Sequence, residues 1–133
     1  MRFILVDDDL FALALAEKLI QGFSEYTETV KFSSASEALK FIIQEFKLIK
    51  NTISTILLTD LHMPDADGFA LLDDIEKMDE AIMGKLHAFV LSAAASPLEI
   101  EKVLSHKCVK GFYSKPLSSE IINKIISRIQ YPD

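Results

Sequence analysis

Cysteine occurs once in the 133 residues of this chain, as Cys108. An internal disulfide bond needs two cysteines, and a zinc cluster needs several cysteines or histidines at ligand spacing, so neither is expected. We interpret Cys108 as a small buried or half-buried apolar residue rather than a reactive thiol. The spacing of His62, His87 and His106 is not that of metal ligands, and we expect none of their side chains to bind a metal.

The chain also lacks long apolar runs and an excess of positive charge. No run reaches the roughly 18 apolar residues that span a bilayer, and the start of the chain turns acidic too soon for a secretory signal. The formal net charge of −6 disfavours binding of nucleic acid. We therefore expect a cytoplasmic protein that neither inserts into membranes nor binds nucleic acid directly.

No linker rich in glycine and serine, no repeat and no low-complexity segment interrupts the chain. Its length suits one domain of ordinary size. Half of its residues are hydrophobic, which is enough for a substantial core. We predict a single domain over residues 1–133, with no output domain.

Short apolar segments alternate along the chain with longer segments of helical character. Apolar runs bounded by breakers are typical of buried strands, and they cover residues 3–6, 29–32, 56–60, 88–91 and 108–113. Helical composition or spacing follows over residues 10–23, 39–49, 68–78, 97–106 and 121–129. Asp9 is placed to cap the first helix, and residues 34–37 and 96–99 have the pattern of capping boxes. Residues 50–52 and Pro64 are expected to break the elements before them.

This alternation of strand and helix predicts a parallel sheet with helices on both faces and right-handed crossovers. The carboxyl ends of parallel strands meet at one edge of the sheet, and open sheets of this kind bind their ligands there. The polar residues that fall at the predicted strand ends are Asp7, Asp8, Asp60, Ser92 and Lys115. We expect these side chains to converge.

Together these residues suit phosphoryl transfer. Three negative aspartates and one positive lysine leave two negative charges, which a divalent cation would neutralise. Oxygen ligands favour Mg²⁺ over zinc. Asp60 would attack in line, while Mg²⁺ and Lys115 hold the equatorial oxygens of the phosphoryl group.

Each of these residues also has an ordinary structural explanation. An aspartate such as Asp60, before a turn, often only begins the loop. Ser92 alone would be a loop hydroxyl, Lys115 a solvated charge and Phe112 a core residue. The joint position of the polar residues at successive strand ends is what favours a site.

The segments that carry these residues resemble those of bacterial response-regulator receiver domains. They are ILVDDD at 4–9, LLTDLHMP at 57–64 with Asp67 and Gly68, VLSA at 90–93, and Lys115 with Pro116. The resemblance covers nearly the whole chain. It implies a flavodoxin-like, doubly wound α/β fold with five helices and a five-stranded parallel sheet in the order 2-1-3-4-5.

The resemblance also implies a role in two-component signal transduction. Asp60 would accept a phosphoryl group from a histidine kinase or a histidine phosphotransfer protein. Asp7 and Asp8 would form the acidic pair, with Asp8 as a direct ligand of Mg²⁺. The carboxylate of Asp60 and the backbone carbonyl of His62 would complete the protein ligands.

By the same resemblance, Ser92 would hydrogen-bond the phosphoryl group and Lys115 would pair with it. The bond from Lys115 to Pro116 would be cis, an option open essentially only before proline. The family often has threonine in place of Ser92 and tyrosine in place of Phe112. Serine keeps the hydroxyl, whereas phenylalanine keeps the ring and loses the phenol.

Ser92 and Phe112 are the residues that we expect to switch. Phosphorylation would draw Ser92 inward, and Phe112 would fill the space that this motion vacates. The face made by the fourth helix, fifth strand and fifth helix would then bind a downstream protein. We expect the exposed part of that face to lie near Lys102, His106 and Lys110.

The favoured interpretation is a stand-alone receiver that catalyses only its own phosphorylation and dephosphorylation. A second hypothesis is an aspartate-nucleophile phosphohydrolase, but such enzymes typically need a second aspartate where His62 stands. A third is a receiver-like interaction module that is never phosphorylated. His62 and Ala94 occupy the positions that tune phosphoryl lifetime in the family, and neither puts a carboxylate or carboxamide by the attacking water, so we expect an altered hydrolysis rate.

Overall fold

The computed structural model describes residues 1–23, 28–48, 53–63, 68–78 and 84–130. Within these ranges the chain alternates between strands and helices, as predicted. The strands are β1 (Arg2–Val6), β2 (Glu28–Phe32), β3 (Thr55–Asp60), β4 (Leu86–Ser92) and β5 (Val109–Ser114). The helices are α1 (Leu10–Gln21), α2 (Ala35–Ile43), α3 (Gly68–Glu76), α4 (Pro97–Leu104) and α5 (Ser119–Gln130). The breaks predicted at residues 50–52 and at Pro64 lie outside the described residues.

The five strands form one parallel sheet in the order β2-β1-β3-β4-β5. The predicted doubly wound fold is therefore confirmed. The central strands are almost wholly buried, because helices cover both faces of a parallel sheet. In the described part of the chain, no helix has the length and apolarity needed to cross a membrane.

Alternate side chains of the sheet enter different cores. One core lies between the sheet and α2, α3 and α4, and we call it the α2–α3–α4 core; it includes Leu57, Leu61 and Val90. The other lies against α1 and α5, and we call it the α1–α5 core; it includes Leu58 and Phe89. Both are expected from the two-residue period of strand side chains.

The predicted signals at the starts of α1 and α4 act as expected, and at the box predicted over residues 34–37 Ser34 Oγ accepts a hydrogen bond from the N–H of Glu37 at 3.4 Å. Asp9 caps α1, because its Oδ1 accepts hydrogen bonds from the N–H groups of Phe11 at 2.9 Å and Ala12 at 3.4 Å. The capping box predicted at the start of α4 is present in full, with Ser96 and Glu99 each accepting from the other's backbone N–H.

The end of the second helix differs from the sequence prediction. We expected regular helix over residues 39–49, but α2 ends at Ile43 and continues as a π-helical turn over Gln44–Leu48. This turn contains Phe46, which is buried in the α2–α3–α4 core. The wider turn is a tertiary adjustment that apolar spacing alone does not reveal.

Candidate functional site

The predicted polar residues lie at the carboxyl edge of the sheet. Asp7 follows β1 directly, and Asp60 is the last residue of β3. Ser92 ends β4, and Lys115 follows β5. The parallel topology thus brings residues from four strand ends to one edge.

The aspartates form a compact acidic group. One carboxylate oxygen each from Asp7, Asp8 and Asp60 lies within 4.8 Å of the others. Asp7 is buried, Asp60 is half-buried and Asp8 is exposed, so the group opens to solvent on the side of Asp8. Like charges at this spacing repel each other, and a bound cation would relieve that repulsion.

Lys115 supplies the positive charge. Its Nζ donates a hydrogen bond to Asp7 Oδ2 at 2.7 Å and lies 3.3 Å from Asp60 Oδ2. The Lys115–Pro116 peptide bond is cis, as the resemblance implies. The backbone N–H of Lys115 also donates to the carbonyl of Ser92 at 3.0 Å, which ties the lysine to the end of β4.

Burial and neighbouring charge shift the pKa values of Asp60 and Lys115. Burial raises the pKa of Asp60 above 3.8, and the charge of Asp7 raises it further, while Lys115 opposes the shift. Burial alone would lower the pKa of Lys115, but its hydrogen bond to Asp7 and the charges of Asp7 and Asp60 outweigh burial and raise it. The lysine is therefore held as a cation between the carboxylates.

The Asp60 carboxylate has two different oxygens. Oδ1 accepts a hydrogen bond from the N–H of Leu61 at 2.8 Å, whereas Oδ2 faces Lys115. The backbone carbonyl of Asp60 accepts a hydrogen bond from the Thr59 hydroxyl at 2.9 Å. The first residue of α3, Gly68, packs against the same carbonyl, and a Cβ atom on Gly68 would lie only 2.6 Å from it.

The predicted switch residues lie on neighbouring strands, Ser92 at the end of β4 and Phe112 within β5. Ser92 is buried, and its hydroxyl donates to the carbonyl of Ala94 at 3.3 Å. Phe112 is partly buried against the α2–α3–α4 core, and it pairs with Val90 of β4 in the sheet register. In this structure the Ser92 hydroxyl therefore bonds within its own loop.

His62 makes a contact that sequence reasoning missed. Its Nε2 lies 3.3 Å from Glu99 Oε2, and both side chains are partly exposed. Glu99 is the capping-box residue of α4, so the contact links the loop after β3 to the start of α4. The contact joins the segment after β3 to the capping box of α4. The only signal in the sequence that could have suggested it is the expectation that β3 and β4 are neighbouring strands.

One residue expected at the exposed part of the face made by α4, β5 and α5 is buried instead. We expected His106 on its exposed part, but the residue is buried, because its ring lies between α4 and α3. Lys102 is exposed and Lys110 is half-buried. The ammonium of Lys102 lies 4.4 Å from the centre of the Phe69 ring.

The acidic group fits Mg²⁺. Its donors are carboxylate oxygens, the hard ligands that Mg²⁺ prefers. The group retains two negative charges after Lys115 is counted, and its exposed side leaves room for the waters that Mg²⁺ keeps. The ligands would be Asp7, Asp8 and Asp60, with the backbone carbonyl of His62 as a further candidate.

A family model described as "Response regulator receiver domain" matches residues 3–127. Among curated proteins, the two-component response regulators ARR10 and ARR12 of Arabidopsis thaliana are 30% and 29% identical over 126 residues, which is 94% of this chain. The chain spans only about a fifth of the length of these relatives, 20% and 19% respectively.

Solved structures share the fold over nearly the whole chain. A response regulator receiver protein from Dyadobacter fermentans has a TM-score of 0.83 and 26% identity, with 96% of both chains covered. A CheY-like response regulator receiver domain protein from Methanospirillum hungatei has a TM-score of 0.78 and 22% identity, with 97% of this chain and 93% of that chain covered.

Proposed function

Because the chain belongs to the response regulator receiver domain family, we propose that it is a signalling domain that accepts a phosphoryl group on Asp60. The observation that carries the proposal is the contact of one ammonium, that of Lys115, with both Asp7 and Asp60 inside the acidic group. That arrangement provides a nucleophile, a cation to pair with a phosphoryl group and ligands for Mg²⁺ at one edge of the sheet.

The reaction forms one bond and breaks another. Asp60 Oδ2 attacks phosphorus, the new O–P bond forms, and the bond from phosphorus to the donor breaks with its electron pair leaving on the donor. Lys115, now 3.3 Å from that oxygen, would hold the negative oxygens of the incoming group. The buried hydroxyl of Ser92 would turn from Ala94 to donate a hydrogen bond to the phosphoryl group. Mg²⁺, when bound to the acidic group, would neutralise charge that develops on the phosphoryl oxygens.

The donor would be a histidine kinase or a histidine phosphotransfer protein, which would place the domain in the cytoplasm with its donor. A cavity of about 250 Å³ opens beside Asp60 and is lined by α1 and by residues 115–117. Near it, Leu10 and Phe11 of α1 are 70% and 78% exposed. An apolar surface next to the acceptor suits a protein donor, because such a surface can be covered while phosphohistidine reaches Asp60.

The output would be a change in protein binding rather than turnover of a substrate. The phosphoryl group would draw Ser92 inward, and Phe112 would follow into the space beside β4. The face made by α4, β5 and α5 would then bind a downstream protein. We propose one receiver domain that catalyses only its own phosphorylation and dephosphorylation.

The test is incorporation of phosphate from a small acyl-phosphate donor in the presence of Mg²⁺. Intact mass should rise by one phosphoryl group, and the Asp60→Asn variant should not be labelled although it folds. Asp74→Asn on α3 is a matched control and should be labelled like the wild type. Normal labelling of Asp60→Asn would refute the assignment, and turnover of many phosphomonoesters would favour a phosphohydrolase instead.

A further inference from the structure

The peptide group between Asp60 and Leu61 is held at both of its polar ends. At one end, the carbonyl of Asp60 accepts a hydrogen bond from Thr59 Oγ1 at 2.9 Å. At the other end, the N–H of Leu61 donates to Asp60 Oδ1 at 2.8 Å. Because a peptide group is planar, a hydrogen bond that fixes its carbonyl also fixes the direction of its N–H.

Thr59 is a polar residue at a fully buried position. It is fully buried in β3, and its neighbours in that strand, Leu57 and Leu58, are apolar core residues. Valine has the same branched shape and suits a buried strand at least as well. A buried hydroxyl costs free energy unless it is hydrogen-bonded, so the hydrogen bond to Asp60 is the feature that distinguishes threonine here.

The start of α3 packs closely against the Asp60 carbonyl. Gly68 of α3 packs so closely that a Cβ atom on it would lie 2.6 Å from the carbonyl oxygen and 3.0 Å from Leu61 Cα. The N–H of Gly68 donates instead to the carbonyl of Leu61, at 2.7 Å. These contacts hold the Asp60 and Leu61 backbone from the α3 side.

The hydrogen bonds distinguish the oxygens of the acceptor carboxylate. Oδ1 is held by Leu61, and because a carboxylate is planar, Oδ2 is then directed towards Lys115 at 3.3 Å. Oδ2 is the oxygen that attacks in the proposed reaction. A small rotation of the peptide group would turn the carboxylate and move Oδ2 out of line.

We propose that Thr59 is a positioning residue for phosphoryl acceptance, whose hydroxyl orients the peptide group after Asp60 and thereby directs Asp60 Oδ2 at the incoming phosphorus. The proposal rests on the proposed function of Asp60. The bond changes are those already given: the O–P bond forms at Oδ2, and the bond from phosphorus to the donor breaks with its electron pair on the donor. Thr59 itself exchanges no proton with the substrate.

Three variants separate the hydroxyl from the shape of the side chain. Thr59→Val keeps the branched shape and removes the donor, whereas Thr59→Ser keeps the donor. Thr55→Val is the matched control, because it also removes a buried hydroxyl from β3 but at the opposite end of the strand. Each variant is measured for thermal stability and for its initial rate of labelling at saturating Mg²⁺ and acyl-phosphate donor.

We expect Thr59→Val to be labelled about two- to tenfold more slowly, the range of one neutral hydrogen bond. Thr59→Ser should restore most of the rate, and Thr55→Val should change stability but not the rate per folded molecule. In NMR spectra of the unphosphorylated protein, the Leu61 amide proton should shift in Thr59→Val and not in Thr55→Val.

Other outcomes overturn the proposal or its premise. Equal rates for wild type and Thr59→Val would overturn it, and so would a slow Thr59→Ser, because the hydroxyl would then not be the cause. An unchanged chemical shift of the Leu61 amide proton in Thr59→Val would show that the hydroxyl does not orient the peptide group. This result does not depend on phosphorylation. No labelling of the wild type would refute the proposed function, and this inference with it, whereas normal wild-type labelling with unaffected variants would refute only the role of Thr59.

Discussion

Gly68 shows at a single residue how closely α3 approaches the acceptor strand. A Cβ atom there would meet three backbone atoms: the carbonyl oxygen of Asp60 at 2.6 Å, Leu61 Cα at 3.0 Å and the carbonyl oxygen of Leu61 at 3.3 Å. Backbone atoms cannot rotate away as the end of a side chain can. We therefore expect Gly68→Ala to lower the free energy of unfolding by about 1–3 kcal/mol and to slow the labelling of Asp60, measured by denaturant melts and intact mass.

Gly22 provides a control for this prediction. It caps the end of α1 with φ of −67°, a conformation that alanine also adopts, and its Cβ position is 3.3 Å from the nearest atom, the Leu19 carbonyl oxygen. Gly22→Ala should change the free energy of unfolding by no more than about 1 kcal/mol and leave labelling unchanged. A Gly68→Ala variant as stable and as reactive as Gly22→Ala would contradict the packing argument.

Asp8 is the exposed member of the acidic group, and its removal tests the proposed metal site. In Asp8→Ala one oxygen ligand and one negative charge are lost, so the affinity for Mg²⁺ should fall sharply and phosphorylation should fall with it. Without metal, the melting temperature should rise slightly at low salt, because repulsion within the group is relieved. High salt should abolish that rise by screening; a fall in melting temperature would refute the repulsion argument.

The contact between α3 and the end of α4 is a feature of whole elements. Asp73 Oδ1 of α3 lies 2.7 Å from His106 Nε2, and the other ring nitrogen, Nδ1, lies 3.0 Å from the carbonyl of Lys102 in α4. The hydrogen bond from His106 lowers the pKa of Asp73 below 3.8, with smaller contributions from the charges of His106 and Lys102. The ionised carboxylate is therefore the form that the fold stabilises.

This shift predicts how the contact depends on pH. Because the folded pKa of Asp73 is depressed, its contribution to stability is present above pH 3.8 and is lost as the pH falls through the lower folded value. Asp73→Asn should reduce stability at neutral pH by no more than about 1 kcal/mol, since the side chain is largely exposed. The difference in stability between Asp73→Asn and wild type should shrink in melts at a pH below the ordinary pKa of aspartate. A difference in stability that grows on acidification would contradict the lowered pKa.

Most element positions could be predicted from the sequence, because the signals concerned are local. The cap at Asp9 and the capping box at Ser96 depend on residues within one turn. The environment of Arg2 could not be predicted in this way. The residue is 1% exposed, pairs with Glu45 of the π-helical turn and lies beneath the Phe46 ring. The ion pair joins residues 43 positions apart, and sequence alone places an arginine at the surface.

At the scale of the whole molecule, the proposed switch predicts a response that spreads from the acceptor. With Mg²⁺ and beryllofluoride, a phosphoryl mimic, NMR shifts should change at Ser92, at Phe112 and along α4. Phe112 lacks the phenol that could hold it outward by a hydrogen bond, so only packing opposes its inward movement. Changes confined to the loop after Asp60 would rule out the switch, and Phe112 would then be a permanent core residue.

The site could be predicted to the level of which strand ends meet, because parallel topology sends all those ends to one edge. The acidic group and its contact with Lys115 follow from that topology, although the chemical roles of these residues stay predictions. Contacts such as that between His62 and Glu99 could not be predicted, because they depend on loop geometry and on the exact position of α4. Nor does sequence reveal that the Thr59 hydroxyl is directed at the backbone.

Cys108 is 2% exposed, and burial, aided by the charge of Glu76, raises the pKa of its thiol to about 12. The native thiol is thus both shielded and uncharged at neutral pH, and a thiolate is the form that reacts. A second cysteine placed on the surface, for example by Glu101→Cys on α4, would take a maleimide dye while Cys108 stays unmodified. Fluorescence from that dye would report the motion of α4 as Asp60 is phosphorylated, in a chain that keeps its own cysteine.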